Sequence, residues 1–418
     1  MIYLIVVTLL LLPAYAAKIP IGGFPGDALM LWVIIAWVTT CLLFSVSRQW
    51  HKFFTFISTI DKKILLLTGL FLTAGIISLF VGGLNTRNLG QLFVLFVQPT
   101  SLFFIAGFTF QENPKYKEHV LLIFYFILGA MGLYALLQYV ALLGLPVSFQ
   151  GNMAEPKRAT GFFIHPNFYS LFSVPLLALL IPDVFKRAQT ALSHNMLWIG
   201  LWLFGALGLL VSFSRAGWIG LGAVLFFYTA FAATRTVKKI SLGMLLGLII
   251  LMAVTPSLRQ RITAPFHGEK SATSRITLWK SGIKGIKESP FLGLGINGFA
   301  NKYSSLISDP TLDTHNFPHN IFLDFWVETG LLGLISFMGL AWLFISRGFL
   351  IRKQNTAAEQ ERRAQRKTIK TPAWLDTKTL SLSISLFFIA LIFQGLIDNP
   401  YFKNDLAMIF WIVLSLAL

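Results

Sequence analysis

The chain holds one cysteine, Cys41, and it lies inside an apolar run. Neither a disulfide framework within the chain nor a cysteine metal site is possible. Charge is scarce. Asp, Glu, Lys and Arg make up 12% of the 418 residues, against 56% hydrophobic ones, and the 17 acids are outnumbered by 34 Lys and Arg. No His-Glu-x-x-His, no Asp-x-Asp and no glycine-rich loop ending in Lys-Ser/Thr occurs, which argues against a metal-dependent hydrolase and an ATPase. Regular apolar/polar alternation is missing as well, so barrel strands are not expected.

What is there is hydrocarbon. Mean hydropathy is +0.71. Twelve apolar segments run near 1–17, 27–46, 64–82, 90–109, 120–144, 167–183, 196–213, 216–233, 240–255, 319–346, 379–397 and 405–418. Segments of about 20 residues fit spanning helices. The expected class is an all-α polytopic membrane protein with about 12 transmembrane helices. The net charge of +17 then fits cytoplasmic lysines and arginines and an anionic substrate, with no nucleic-acid partner. Met1 to Ala17 has the apolar core and small-residue end of a signal peptide. It lacks a basic residue before the core and reads as a first, short spanning helix.

With the N-terminus inside, the inner loops carry 20 Lys and Arg, and the outer loops other than 256–318 carry six. This bias places both termini in the cytoplasm. It divides the chain into nine spans over 1–255, an outer loop over 256–318 between the ninth and tenth spans, and three spans over 319–418. A cytoplasmic loop lies at 347–378, whose 354–372 stretch reads as a solvated helix or linker. Within the outer loop, Ser274 to Lys287 reads as an amphipathic helix with Ile276, Trp279, Ile283 and Ile286 on one face. A turn-rich return with Gly293, Gly295 and Gly298 follows.

Five outer residues invite chemistry. Arg215 stands between two apolar segments with almost no loop, where a charge is costly and points to function; the competing reading is a snorkelling helix end. Arg158, Arg275, His315 and His319 are expected to converge with it. Arginine forks suit phosphate oxygens. Pro318 is expected in the first turn of the tenth span, placing His319 at a helix head that favours anions. A histidine among arginines is held toward its neutral form and can take a proton from a hydroxyl. The set describes a diphosphate clamp beside a general base, with Asp324 or Glu328 to orient the base; Glu328 alternatively pairs within the bundle. His165 and His267 read as structural. His315 and His319 are four apart, a ligand spacing, and Asp309, Asp313 and Asp324 offer carboxylates. Pro318 interrupts that pair, so no metal and no cofactor is expected.

These residues carry a resemblance. His319-Asn320, nine residues, Gly330, two residues and Gly333 resemble the motif of the O-antigen ligases and O-antigen polymerases. Ser214-Arg215-Ala-Gly217 and the run Arg275, Trp279, Pro290, Gly293 and Gly295 resemble the rest of that signature. Leu334 stands where ligases often have threonine. The resemblance implies a metal-independent, inverting GT-C-type glycosyltransferase of the bacterial inner membrane. It implies an undecaprenyl-diphosphate-linked glycan as donor and lipid A-core as acceptor, used at the outer face. His319 matches the family's essential histidine, and Arg215 and Arg275 its essential arginines; Arg158 is added from charge and position. The alternatives are a polysaccharide polymerase, a protein O-oligosaccharyltransferase and, in another class, a small-anion transporter of the bicarbonate type.

Overall fold

The computed structural model describes residues 2–13, 18–21, 24–151, 156–190, 192–231, 235–267, 269–307, 315–353 and 376–418. Helix α1 (Ile2–Leu11) leads to an antiparallel hairpin of β1 (Lys18–Ile21) and β2 (Phe24–Asp27). Then come α2 (Ala28–Val46), α3 (Trp50–Thr59), α4 (Lys62–Gly82), α5 (Thr86–Leu92), a π-turn at Phe93–Val97, α6 (Gln98–Glu112) and α7 (Lys115–Ala141). The middle of the chain forms α8 (Pro166–Thr190), α9 (Leu192–Val211), α10 (Arg215–Phe231), α11 (Arg235–Val254), α12 (Pro256–Thr263) and α13 (Lys270–Glu288). Two single turns, α14 (Gly298–Asn301) and α15 (Tyr303–Leu306), precede α16 (Ile321–Lys353), α17 (Thr377–Gly395) and α18 (Asn404–Ser415).

Among the described residues, eight helices are long and apolar enough to cross a membrane: those in α2, α4, the α5–α6 run, α7, α8, α11, α16 and α17. The chain is an all-α polytopic membrane protein with one small hairpin among its described residues. The count of twelve spans is not supported. A crossing takes about 20 residues, whereas α1 has 10, α10 has 17 and α18 has 12. The expected linker at 354–372 lies outside the described residues.

The short α18 is the centre of the bundle, buried along its whole length. Its Trp411 indole donates to the Tyr401 hydroxyl (3.1 Å), which donates to the Leu95 carbonyl (2.7 Å). Tyr401 also stands among Phe71, Phe325, Phe337 and Phe410. The Asn399 side-chain oxygen accepts from the amides of Tyr401 (3.2 Å) and Phe402 (3.0 Å). The 396–403 turn is therefore fixed at both its apolar and its polar contacts.

The glycine-rich return crosses α16 where that helix breaks. Gly330 has φ 67° and ψ −171°, a region that side chains rarely enter. The Leu331 amide leaves the helix for the Phe291 carbonyl (3.0 Å), and the Val327 carbonyl it abandons accepts from Leu294 (2.6 Å). A Cβ on Gly330 would lie 2.3 Å from the Phe291 oxygen. The backbone thus exchanges partners at the crossing, as buried peptide groups must.

The packed face of α13 differs from the expected one. Ile276 and Ile283 are exposed, and Leu278, Ser281, Gly282, Gly285 and Ile286 are buried. The small residues decide this. A Cβ on Gly282 would stand 3.0 Å from Pro318, and one on Gly285 2.9 Å from Leu294. The helix approaches its neighbours where side chains are absent.

Candidate active site

The start of α8, the α9–α10 turn, α13, the start of α16 and the α17–α18 turn meet at one end of the bundle. Asn320 caps α16: its side-chain oxygen accepts from Phe322 (3.1 Å) and Leu323 (3.3 Å), while its amide group donates to the Leu396 carbonyl (2.9 Å). Asparagine is a strong cap because it satisfies the free first-turn amides. Pro318 therefore lies outside the helix, a correction to its expected place in the first turn. His319 precedes the cap, in the left-handed region at φ 58°. That conformation is costly for a side chain and persists only where surroundings hold it. The Trp279 indole donates to the His319 carbonyl (3.3 Å).

The strained backbone sets the imidazole beside a carboxylate. His319 Nδ1 lies 2.9 Å from Asp398 Oδ1. The same oxygen accepts from the Asn399 amide (3.0 Å). The other oxygen, Oδ2, meets Asn167 Nδ2 (3.3 Å) and an Arg275 terminal nitrogen (3.4 Å). Asp398 is 4% exposed and His319 29%. Burial alone would raise the Asp398 pKa. The hydrogen bond and charge of His319, with Arg275 and the Asn399 amide, outweigh it and hold the carboxyl well below its usual range. An ionised carboxylate only accepts, so Nδ1 carries a proton toward Asp398, and the tautomer with that proton offers Nε2 as a base. Nε2 lies 3.3 Å from His315 Nδ1, with the two rings nearly perpendicular.

Arg158 joins this network indirectly. Its Nε donates to the Ser212 carbonyl (3.1 Å) and a terminal nitrogen to the Asn167 oxygen (2.9 Å), so Asn167 links Arg158 to Asp398. His165 Nδ1 accepts from the Asn167 amide (3.1 Å). Burial, reinforced by Arg158, pushes the His165 pKa down to about 4. Its field partners include Asp398, Arg275 and His319, so this histidine borders the site.

Arg215 heads α10 in a second cluster. One of its terminal nitrogens pairs with Glu269 and meets the Arg261 carbonyl (3.3 Å), and the other reaches the Ser271 hydroxyl (3.4 Å). Arg261 pairs with the other Glu269 oxygen. Ser271 and Arg275 are four apart on α13, hence on one face, and the clusters lie about one turn apart along that helix.

Residues 199–338 match the O-antigen ligase family. The match is consistent with the ligase and polymerase superfamily and covers most of α9 through the first part of α16, including His319, His315, Arg275 and Arg215. The chain is also similar to an uncharacterized protein of Haemophilus influenzae strain Rd, 27% identical over 155 residues, which is 30% of this chain and 36% of that protein. This chain therefore spans about a third of the relative's length. The O-antigen ligase match supports a membrane glycosyltransferase in general terms.

The structure brings together His319, His315 and Arg275 directly, Arg158 through Asn167, and Arg215 one turn away. Asp324 and Glu328 do not pair with the His319 imidazole, a correction; Asp398 does, while the Asp324 carboxyl meets the His319 backbone. Asp324 sits under the cap, its carboxylate 3.5 Å from the Asn320 amide. Glu328 accepts from the amides of Asn297 (2.6 Å) and Phe299 (3.1 Å). Asp309 and Asp313, and the His267 side chain, lie outside the described residues. No group of three or more His, Cys, Asp or Glu able to hold a metal occurs among the described residues. Sequence reasoning missed Asp398 and Asn167. Asp398 had a usable signal, an acid in a short turn between two apolar segments, which is the argument applied to Arg215.

Proposed function

We propose that the chain is an O-antigen ligase-type glycosyltransferase that moves a glycan from undecaprenyl diphosphate to an acceptor hydroxyl, with lipid A-core as the acceptor, at the outer face of the bacterial inner membrane. The observation that carries the proposal is the His319–Asp398 pair, a base held in one tautomer by a buried carboxylate. His319 Nε2 takes the acceptor proton as the hydroxyl oxygen attacks the anomeric carbon. The bond from that carbon to the diphosphate breaks, and the configuration inverts. The imidazolium formed is stabilised by Asp398, which keeps its charge. Arg275 and Arg215 stabilise the departing diphosphate as its charge grows. No step assigns a role to a metal ion or an organic cofactor. The catalytic groups gather at helix ends, which fits a GT-C-type enzyme better than a transporter, whose ion site belongs near the midplane on broken helices.

The test is direct. The purified protein in nanodiscs is given undecaprenyl-diphosphate-linked glycan with lipid A-core, with a second donor molecule, or with an acceptor protein, and products are resolved by mass. Transfer to lipid A-core supports the ligase. Chain extension makes it a polymerase, glycosylated protein an O-oligosaccharyltransferase, and no transfer to any acceptor overturns the reading.

A further inference from the structure

Arg215 does not stand alone. Its guanidinium and that of Arg261 close on the two oxygens of a single carboxylate, Glu269. The three side chains are 13%, 11% and 17% exposed. The arginines are fixed from behind: Arg261 Nε donates to the Phe213 carbonyl (3.3 Å), and Arg215 donates to the Arg261 carbonyl (3.3 Å) and the Ser271 hydroxyl (3.4 Å). Among the described residues, two guanidiniums share this one carboxylate. Two arginine forks converging on a pair of oxygens also make the geometry that phosphate oxygens fit.

We infer that Arg261 is a second jaw of the diphosphate clamp, and that Glu269 occupies the anion seat until the donor's diphosphate displaces it. This rests on the transferase reading above for the identity of the donor. A diphosphate brings more negative charge and more acceptor oxygens than a carboxylate, so it satisfies both guanidiniums better. Glu269 lies just ahead of α13, so the exchange leaves the helix itself in place. Before the donor arrives, Glu269 keeps two neighbouring arginines from facing each other unneutralised. Ser271 and Arg275 share a face of α13, which continues the seat toward the His319–Asp398 pair. The donor's two phosphates then have Arg215 and Arg261 at one end and Arg275 at the other.

The competing account is a purely structural latch tying α12 and α13 to the α9–α10 turn. The two accounts predict opposite signs. Full-length protein is placed in nanodiscs of zwitterionic lipid, and inorganic pyrophosphate is titrated by calorimetry. Glu269→Gln removes the internal competitor and should tighten pyrophosphate binding by about tenfold, while Arg261→Gln should weaken it by about tenfold, the scale of one charge-assisted contact. If Glu269→Gln does not fold, Glu269→Asp draws the carboxylate back and should tighten binding by a smaller factor. Equal affinity in wild type and both variants, or weaker binding with a lower melting temperature in the Glu269 variant, overturns the inference in favour of the latch. Anionic phosphatidylglycerol is added as a second arm. If it excludes pyrophosphate from the wild-type protein, the seat belongs to bilayer headgroups and the donor assignment falls. His319→Ala is run in parallel and read for glycan transfer alone. If that variant still transfers glycan, the transferase mechanism fails independently of the clamp. If it is inactive while pyrophosphate is blind to positions 261 and 269, only the clamp fails.

Discussion

Two buried carboxylates near the crossing of α13 and α16 have opposite partners. Glu328 is held by backbone amides, those of Asn297 and Phe299, and its own carbonyl accepts from the Ser78 hydroxyl. Asp398 is held mostly by side chains able to bear charge or move protons, His319 and Arg275, with Asn167 bridging to Arg158. An acid satisfied by peptide groups fixes the path of the chain. An acid satisfied by an imidazole and a guanidinium also sets the protonation of its partners. On the proposed mechanism the first arrangement belongs to architecture and the second to chemistry, although both acids are almost fully buried.

That contrast breaks if the two acids respond alike to substitution. The largest effect is expected at the base. His319→Ala should lower turnover by about 10²–10⁴, and Asp398→Asn, which leaves the imidazole without an ionised partner, should fall in the same range. Both are measured as product per folded molecule. A pH-dependent loss of stability should come next. His165, with its pKa lowered to about 4, is neutral in the fold while the unfolded chain takes up a proton below about 6.5. Its contribution is fully present above that value and is lost as pH falls toward 4, on the order of 3 kcal/mol. His165→Gln keeps an acceptor for the Asn167 amide and should flatten the melting temperature between pH 6.5 and pH 4.5.

Glu328→Gln should then cost about 1–3 kcal/mol of stability, because one buried amide loses its acceptor. Turnover per folded molecule should stay unchanged. A catalytic collapse in a well-folded Glu328→Gln protein would erase the distinction from Asp398. The smallest effect is expected at His315. Its contact with His319 is a hydrogen bond between rings, worth about 1 kcal/mol, so His315→Ala should change turnover by less than about tenfold. A loss equal to that of His319→Ala would instead make His315 part of the proton path.

His319 and Arg215 were conspicuous because each is a charged or titratable residue at the edge of an apolar run, and Arg275 because it recurs in the motif resemblance of the outer loop. The helical class was legible from the same runs. The identity of the orienting acid was not. Asp324 and Glu328 follow His319 closely along the chain, and proximity in sequence favours them, yet helix geometry turns them toward the cap and toward the glycine-rich return. Asp398 comes 79 residues after His319 and reaches it only because α17 returns to the end of the bundle where α16 begins. The α13 face was misread because its apolar residues were counted while Gly282 and Gly285, which allow the closest approach, carry no hydrophobic signal. The count of twelve is not supported, because among the described residues α1, α10 and α18 are shorter than a crossing needs and an apolar helix packed among others, as α18 is, need not cross the bilayer.

The partition of the site along the chain has a consequence for transplantation. The stretch matching the O-antigen ligases ends at residue 338. It carries His319, Arg215 and Arg275 but leaves Asp398 behind, with Asn167 and Arg158 on the other side. A chimaera that grafts residues 199–338 into a related host would take His319 from this chain and the carboxylate beside its Nδ1 from the host. Such hybrids should work only where the recipient's last interhelical turn delivers a carboxylate to the same place.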